Sequence, residues 1–324
     1  MEFALGSTLR QRFSYRPGQF LTLRVVDPRG QALRRCYSMS STPYEHGYLR
    51  VTVKRVQGGF VSNWLCDHAN PGTSIYALPP AGSFTPGSLD ADLLLLAAGS
   101  GITPIFSILK SVLSHGSGKI ALFYANRDDR SVIFAQELDE LRRRHPDRLV
   151  VTTWLETQRG LPTVSQVALS TSAYQGREAF VCGPSKFMDV SISALTLLGV
   201  NRDRIHVERF NSLAGGTPSI ANSAGPFPLA SGDDDAALIL HLNGQRSTYA
   251  WPKNVKLLDL LLARNIDVPY SCREGACSVC ACRIIGGKVQ MICNSVLGAD
   301  DLSAGFVLAC QAIPRSDKVE VSYE

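Results

Sequence analysis

Asp267-Val268-Pro269-Tyr270-Ser271-Cys272-Arg273-Glu274-Gly275-Ala276-Cys277-Ser278-Val279-Cys280 carries three cysteines in the spacing C-x4-C-x2-C, and a fourth, Cys310, follows downstream. This is the spacing of a plant-type [2Fe–2S] cluster. Each iron needs two thiolates in tetrahedral geometry, so a tight loop must turn three sulfurs inward. Gly275, Ala276 and Ser278 are small, and backbone N–H groups between the cysteines can point at the sulfides and tune them. The alternative is a four-cysteine zinc site, which ordinarily uses paired C-x2-C units; only one such unit is present. The predicted ligands are Cys272, Cys277, Cys280 and Cys310. Cys282 and Cys293 are spare, and Cys282, alternating with Cys280, reads as a packing residue.

Working outward, strand Leu238–Leu242, a turn at Asn243-Gly244 and strand Ser247–Trp251 read as a hairpin. A helix over Lys256–Asn265 follows. Residues 236–324 form one expected domain. Before it, residues 211–235 are rich in Gly, Ser, Ala, Pro and Asp and read as a linker, spanning about 25–30 Å as a flexible coil.

Upstream, residues 91–210 alternate strands and helices. Leu93–Ala97 is a continuous apolar strand, Thr103 can cap a helix and Pro104 suits its first turn. Strand Lys119–Tyr124, helix Phe134–His145, strand Val150–Trp154, strand Ala179–Val181 and helix Ser185–Leu198 follow. The alternation predicts a parallel, Rossmann-like α/β sheet covered on both faces. Residues 1–90 carry short Thr-, Val-, Leu- and Tyr-rich strands, such as Gln19–Val25 and Tyr48–Lys54, broken by Gly and Pro. They predict an antiparallel β-barrel.

The bulk numbers agree with a multidomain α+β chain. With 324 residues, two or three domains are expected. Apolar residues make up 45% and charged residues 19%, so real cores can be buried. The net charge of +5 is dispersed along the chain, without a basic stripe interleaved with aromatics. Nucleic-acid binding is therefore excluded as a function class. The apolar run at Leu93–Ala98 falls far short of the roughly 20 residues of a membrane span, and no signal segment opens the chain. A cytoplasmic monomer is expected. An odd cysteine count of nine argues against a disulfide framework. The six histidines show no ligand spacing.

The cysteine stretch, together with Leu308-Ala309-Cys310-Gln311-Ala312, resembles the C-terminal ferredoxin module of oxygenase reductases. That likeness implies a β-grasp fold. Ser278 stands where many members of that family carry Gly. Three further motifs resemble the ferredoxin–NADP reductase superfamily, and they occur in its order. Arg35-Cys36-Tyr37-Ser38 is similar to its R-x-Y-S signature. Its chemistry suits FAD: Tyr37 to stack on isoalloxazine, Ser38 to bond near N5, Arg35 to pair with pyrophosphate. Gly59-Phe60-Val61-Ser62, preceded by Val53, resembles the G-x-x-S phosphate turn, and Pro80-Ala81-Gly82-Ser83-Phe84 resembles the segment that closes the barrel.

Gly99-Ser100-Gly101-Ile102-Thr103-Pro104 and Cys182-Gly183-Pro184 both leave carboxyl ends of sheet strands, where open α/β sheets bind ligands. The resemblance puts Cys182 beside the nicotinamide, Asn126 and Arg127 near the adenosine ribose, and Glu208 near the flavin ring. Asp128 and Asp129 disfavour a 2′-phosphate, while Arg127 or Arg130 could clamp one. NADH is the expected donor, with NADPH left open.

The likeness extends to reductases of the 3-ketosteroid 9α-hydroxylase systems of steroid degradation. It implies a Rieske-type oxygenase as electron acceptor. The same chemistry serving another oxygenase, such as a phenylacetyl-CoA epoxidase, is the alternative; a non-enzymatic redox-sensing flavoprotein is a third reading. NADH yields two electrons together and a cluster accepts one at a time, so the flavin must split the pair. Relatives carry another strand before Phe13, and Met1–Arg12 reads poorly as one. The barrel is expected to lack its first strand or to begin upstream.

Overall fold

The computed structural model describes the chain except residues 29, 31, 46, 47, 211–234, 243, 271, 276 and 324. The expected linker therefore lies outside the described residues apart from Asp235, as does Asn243 of the expected hairpin turn. Two compact units are present: Met1–Leu23 with Tyr37–Phe210, and Arg24–Cys36 with Asn211–Glu324.

The chain begins with β1 (Glu2–Ala4), α1 (Ser7–Arg10), β2 (Phe20–Val26), β3 (Ala32–Ser38), β4 (Tyr48–Arg50), α2 (Phe60–His68) and β5 (Tyr76–Ala77). Strands β3, β2 and β5 are neighbours in that order, and β1 pairs antiparallel with β4. Antiparallel bridges join Phe20 to Ala81 and Met39 to Val51. This is the small antiparallel barrel the turn-rich sequence predicts. One expectation changes. Glu2–Ala4 does form a strand, with Glu2 opposite Arg50 and Ala4 opposite Tyr48. Three residues are too few to register as a strand by pattern. The ladder is fixed instead by long-range partners: the terminal amine donates to Val51 O at 2.9 Å, and Arg50 Nε donates to Glu2 Oε1 at 2.9 Å.

Next come β6 (Leu93–Ala98), α3 (Ile102–His115), β7 (Ile120–Asn126), α4 (Ala135–Arg144), β8 (Leu149–Leu155), α5 (Glu156–Arg159), α6 (Val164–Thr171), β9 (Glu178–Cys182), α7 (Ser185–Leu197) and β10 (Ile205–Glu208). The sheet order is β10-β9-β6-β7-β8, and every pairing is parallel. Alternate residues of β6 serve two cores. Leu93, Leu95 and Ala97 pack with α3, while Leu94, Leu96 and Ala98 pack with α6 and α7. Burial on both faces explains the unbroken apolar run. At about 1.5–3 kcal/mol per buried leucine, this strand anchors the domain.

Helix α3 also carries two fully buried serines that bond to the chain just past Ser38. Ser107 Oγ donates to Ser41 O at 2.6 Å, and Ser111 Oγ donates to Thr42 Oγ1 at 2.8 Å. The barrel segment that follows the R-x-Y-S motif is thereby tied to the helix that follows the glycine loop.

The second unit holds β11 (Ala236–Leu242), β12 (Gln245–Trp251), α8 (Leu257–Ala263), β13 (Ala281–Gly286), β14 (Val289–Met291), α9 (Ala299–Ser303), β15 (Phe306–Leu308), β16 (Ala312–Pro314) and β17 (Lys318–Ser322). Its main sheet runs β12-β11-β17-β13-β15, with β11 and β17 parallel and the other pairs antiparallel. Leu257, Leu258, Leu260 and Leu261 of α8 are buried in a core with Trp251, Leu238 and Val319. A helix gripped by a mixed sheet is the β-grasp arrangement.

Deleting Met1–Ala4 removes the ladder partner of β4 and should cost about 1–3 kcal/mol, the worth of the few hydrogen bonds lost. A lower melting temperature with FAD content restored by excess FAD is the expected outcome. An unchanged melting temperature would mean that β4 does not need β1.

Candidate functional site

The carboxyl edge of the parallel sheet gathers the nicotinamide candidates. Strand β6 has β9 on one side and β7 on the other, so chain direction across the sheet reverses at its end, where open sheets form a ligand crevice. Gly99–Gly101 forms a tight 3-10 turn there, with Gly99 at φ +53°. A Cβ on Gly101 would lie 2.2 Å from Cys182 O and 2.6 Å from Gly183 N. Only glycine lets these two loops touch. Gly183 is confined less severely, since a Cβ there would meet Phe187 Cδ1 at 2.9 Å and Ala98 Cβ at 3.0 Å. Pro184 occupies the N-cap position of α7, and no side chain caps that end.

Thr103 does not cap α3 as the sequence suggests. Gly101 holds that position, and the buried Thr103 hydroxyl donates back to Ser100 O at 3.0 Å, holding the glycine loop. Asn126 ends β7. Its amide oxygen and nitrogen are buried and make no hydrogen bond of normal geometry among the described residues, their one polar interaction being with the Tyr124 hydroxyl, and groups left short of partners in this way suit a ligand. Arg127 is exposed, and its carbonyl accepts from Thr157 N at 3.0 Å. Asp128 is fixed by a reciprocal cap with Ser131, whose N–H donates to Asp128 Oδ1 at 2.9 Å. One residue escapes sequence reading: Lys54 Nζ lies 3.6 Å from where a Cβ on Gly99 would stand. A cation beside a glycine turn suits a phosphate, but a lone lysine after Val53 carries no sequence signal.

Cys182 ends β9 opposite Glu208 of β10. It is fully buried, and burial, reinforced by the Glu208 carboxylate, pushes its thiol well above the ordinary range. The thiol therefore stays protonated and is a poor nucleophile.

Arg35, Tyr37 and Ser38 lie on β3, with Ser38 buried and Arg35 and Tyr37 half-buried. In the G-x-x-S turn, Val56 N donates to Ser62 Oγ at 3.1 Å, and Asn63 Nδ2 donates to Gly59 O at 2.7 Å. Ser62 thus shapes the turn from within. Gly59 is the N-cap of α2, and no side chain caps the helix, which leaves its first N–H groups suited to an anion. Val53 follows β4, and its carbonyl faces the Cys66 thiol at 4.0 Å.

Four of the seven cysteines of the second unit, the expected ligands, stand as two pairs, and Cys277 also hydrogen-bonds to Cys36. Cys272 N donates to Cys277 Sγ at 3.4 Å, and the buried Cys280 and Cys310 thiols hydrogen-bond to each other. Two pairs match the two irons of a [2Fe–2S] cluster. Further donors face the sulfurs: Glu274 N to Cys272 Sγ at 3.4 Å and Gln311 Nε2 to Cys310 Sγ at 3.6 Å. The hydrogen bond from Cys280 draws the Cys310 thiol below its ordinary range, towards thiolate. The loop runs through left-handed backbone at Arg273 (φ +58°), Gly275 (φ +80°) and Ser278 (φ +52°). The constraint at position 278 is therefore conformation rather than size, and it favours glycine. Cys282 is buried, while Cys293 is exposed.

A flavin barrel, a parallel sheet with a dinucleotide edge and a four-thiol β-grasp loop together define an NAD(P)H-dependent flavin and iron–sulfur oxidoreductase. Family comparisons agree. Residues 1–85 match the oxidoreductase FAD-binding domain, 95–192 the oxidoreductase NAD-binding domain and 240–315 the 2Fe-2S iron-sulfur cluster binding domain. The chain is 48% identical to the ferredoxin reductase component of 3-ketosteroid-9-alpha-monooxygenase from Rhodococcus rhodochrous, over 99% of this chain and 91% of that one. It is 50% identical to the Mycobacterium tuberculosis protein of the same name, over 97% and 87%. It is 32% identical to one of the subunits of the Escherichia coli 1,2-phenylacetyl-CoA epoxidase, over 99% and 92%. Phthalate dioxygenase reductase shares the fold, with a TM-score of 0.54 at 22% identity, covering 95% of this chain and 88% of that structure. The chain belongs to the family of oxygenase ferredoxin reductase components that includes the Rhodococcus and Mycobacterium proteins.

Ser278→Gly should keep a full iron content and raise the stability of the cluster-loaded protein by about 1 kcal/mol, because glycine meets no penalty at this φ. Iron analysis with thermal melting checks this. A lower melting temperature would show that the serine side chain contributes more than its backbone costs.

Proposed function

We propose that this chain supplies electrons from NADH to the Rieske-type oxygenase of a 3-ketosteroid 9α-hydroxylase in steroid degradation. The carrying observation is the close packing of Gly101 on Cys182–Gly183 at a switch-point edge, in a chain whose four cluster cysteines stand two and two. The printed names of the relatives sharing 48–50% identity supply the steroid partner. A cytoplasmic monomer fits a reductase that draws on NADH and carries exposed thiols at Cys66 and Cys293.

Bound FAD supplies the exchange of a two-electron hydride for single electrons, and a bound cluster carries them singly. The chain's own contributions are positional. Arg35, Tyr37, Ser38, Gly59 and Ser62, with Val53 behind them, would hold the flavin and its phosphates. Gly99, Gly101, Thr103 and Lys54 would receive the pyrophosphate. Asn126 and Arg127 would receive the ribose, and the Cys182-Gly183-Pro184 turn with Glu208 would wall the nicotinamide. The protonated Cys182 Sγ adds no charge where hydride moves. Cys272, Cys277, Cys280 and Cys310 would hold the cluster.

The test uses full-length protein. NADH should reduce ferricyanide and, through the cluster, drive product formation by a 3-ketosteroid oxygenase; a phenylacetyl-CoA epoxidase serves as the comparison acceptor. Replacing any one of the four ligands by Ser should abolish the oxygenase reaction and spare most ferricyanide reduction. Cys282→Ser should keep both activities. A faster reaction with the epoxidase would overturn the steroid assignment.

A higher kcat/KM for NADH than for NADPH is also expected. The Asp128 carboxylate is pinned at the end of β7 with Asp129 beside it, and like charge repels a 2′-phosphate. The two specificity constants decide it, and a higher value for NADPH would mean that Arg127 and Arg130 outweigh the acids.

A further inference from the structure

Tyr124 lies on β7 in the buried layer shared with α3. Its ring is enclosed, yet its hydroxyl reaches two segments distant in sequence. It accepts from Ile133 N at 3.2 Å and donates to Gly99 O at 3.2 Å, with Ile133 O the competing acceptor at 3.5 Å, and it also interacts with the Asn126 side chain on its own strand. Phenylalanine would fill this space without the cost of burying a hydroxyl. The hydroxyl is therefore spent on joining two loops. One is the glycine turn after β6. The other is the connection from β7 to α4, braced at its near end by the Asp128–Ser131 cap and passing into left-handed backbone at Phe134 (φ +63°).

The bond to Gly99 has a geometric consequence. A peptide unit is planar and trans, so its C=O and N–H point in opposite directions. Gly99, at φ +53°, has unusual freedom to rotate that plane. Its carbonyl already accepts from Ile102 N inside the turn. The second bond, from Tyr124, fixes the plane, and the Ser100 N–H is turned away from the packed ring.

We propose that Tyr124 is a positioning residue for the dinucleotide: its hydroxyl locks the Gly99–Ser100 peptide so that the N–H faces the pyrophosphate, and registers this turn with the loop on the adenosine side. Tyr124 itself does not touch the ligand. Burial pushes its hydroxyl up to about 12, so it remains a neutral donor throughout the working pH range. The proposal rests on the NADH reductase reading above.

The test is Tyr124→Phe in the full chain, loaded with FAD and cluster. The expected result is a rise of about 3–10-fold in KM for NADH, the effect of losing one net hydrogen bond. The kcat for ferricyanide should stay within about twofold, and FAD content should match wild type. ADP-ribose, which carries the pyrophosphate but no nicotinamide, should lose inhibitory affinity in parallel. KM and Ki are read on the FAD-loaded fraction, so a lower yield does not mask them. Wild-type KM and Ki, a fall in kcat at unchanged KM, or failure to obtain FAD-loaded variant would each overturn the positioning role. Failure of wild-type protein to oxidise NADH would instead overturn the reductase reading.

Discussion

The approach of Gly101 to the Cys182–Gly183 peptide is the contact around which the nicotinamide edge is built. Two strands adjacent in a parallel sheet end side by side, and their following loops must share the space above them. A side chain at Gly101 would force the loops apart by more than packed strands permit, since its Cβ would stand 2.2 Å from Cys182 O. The sheet cannot yield, because β6 is buried on both faces and hydrogen-bonded along both sides. Cys182 in turn owes its neutral thiol to the same crowding. The closeness of the loops excludes water and holds the sulfur inside the protein.

Much of this was legible in the sequence. Leu93–Ala98 is readable because burial on both faces leaves no polar position to blur the pattern. The cluster ligands are readable because iron demands fixed sulfur spacing. What escaped reading depends on partners distant in the chain. Strand Glu2–Ala4 is defined by β4, about fifty residues on. Helix Val164–Thr171 has only a modest apolar face, although the Thr163–Gln166 capping box was a usable signal. Lys54 and Tyr124 belong to the site through their nearness to Gly99, and neither residue type announces such a neighbour. Thr103 illustrates a different failure. Threonine before proline is a fair cap by composition, but the glycine turn had already taken that position.

At Ser278 the difficulty lies in what a motif records. A small residue at that position looks interchangeable with glycine when motifs are read as letters. The backbone there is left-handed, so the two residues differ in conformational cost and not in bulk. Arg273 shares this strain in the same loop. Thiolate geometry, rather than local preference, dictates the path of the chain between the first three cysteines.

The buried serines of α3 bear on how such reductases can be recombined. Ser107 and Ser111 reach across from the dinucleotide-binding fold to Ser41 and Thr42, so the flavin and nicotinamide lobes share two hydrogen bonds, and Ser111 keeps an alternative acceptor in Ser107 O of its own helix. A chimaera cut near residue 90 would separate these partners and leave the buried Ser107 hydroxyl dependent on whatever acceptor the new barrel offers. Transplanting the two lobes as one piece keeps both bonds intact.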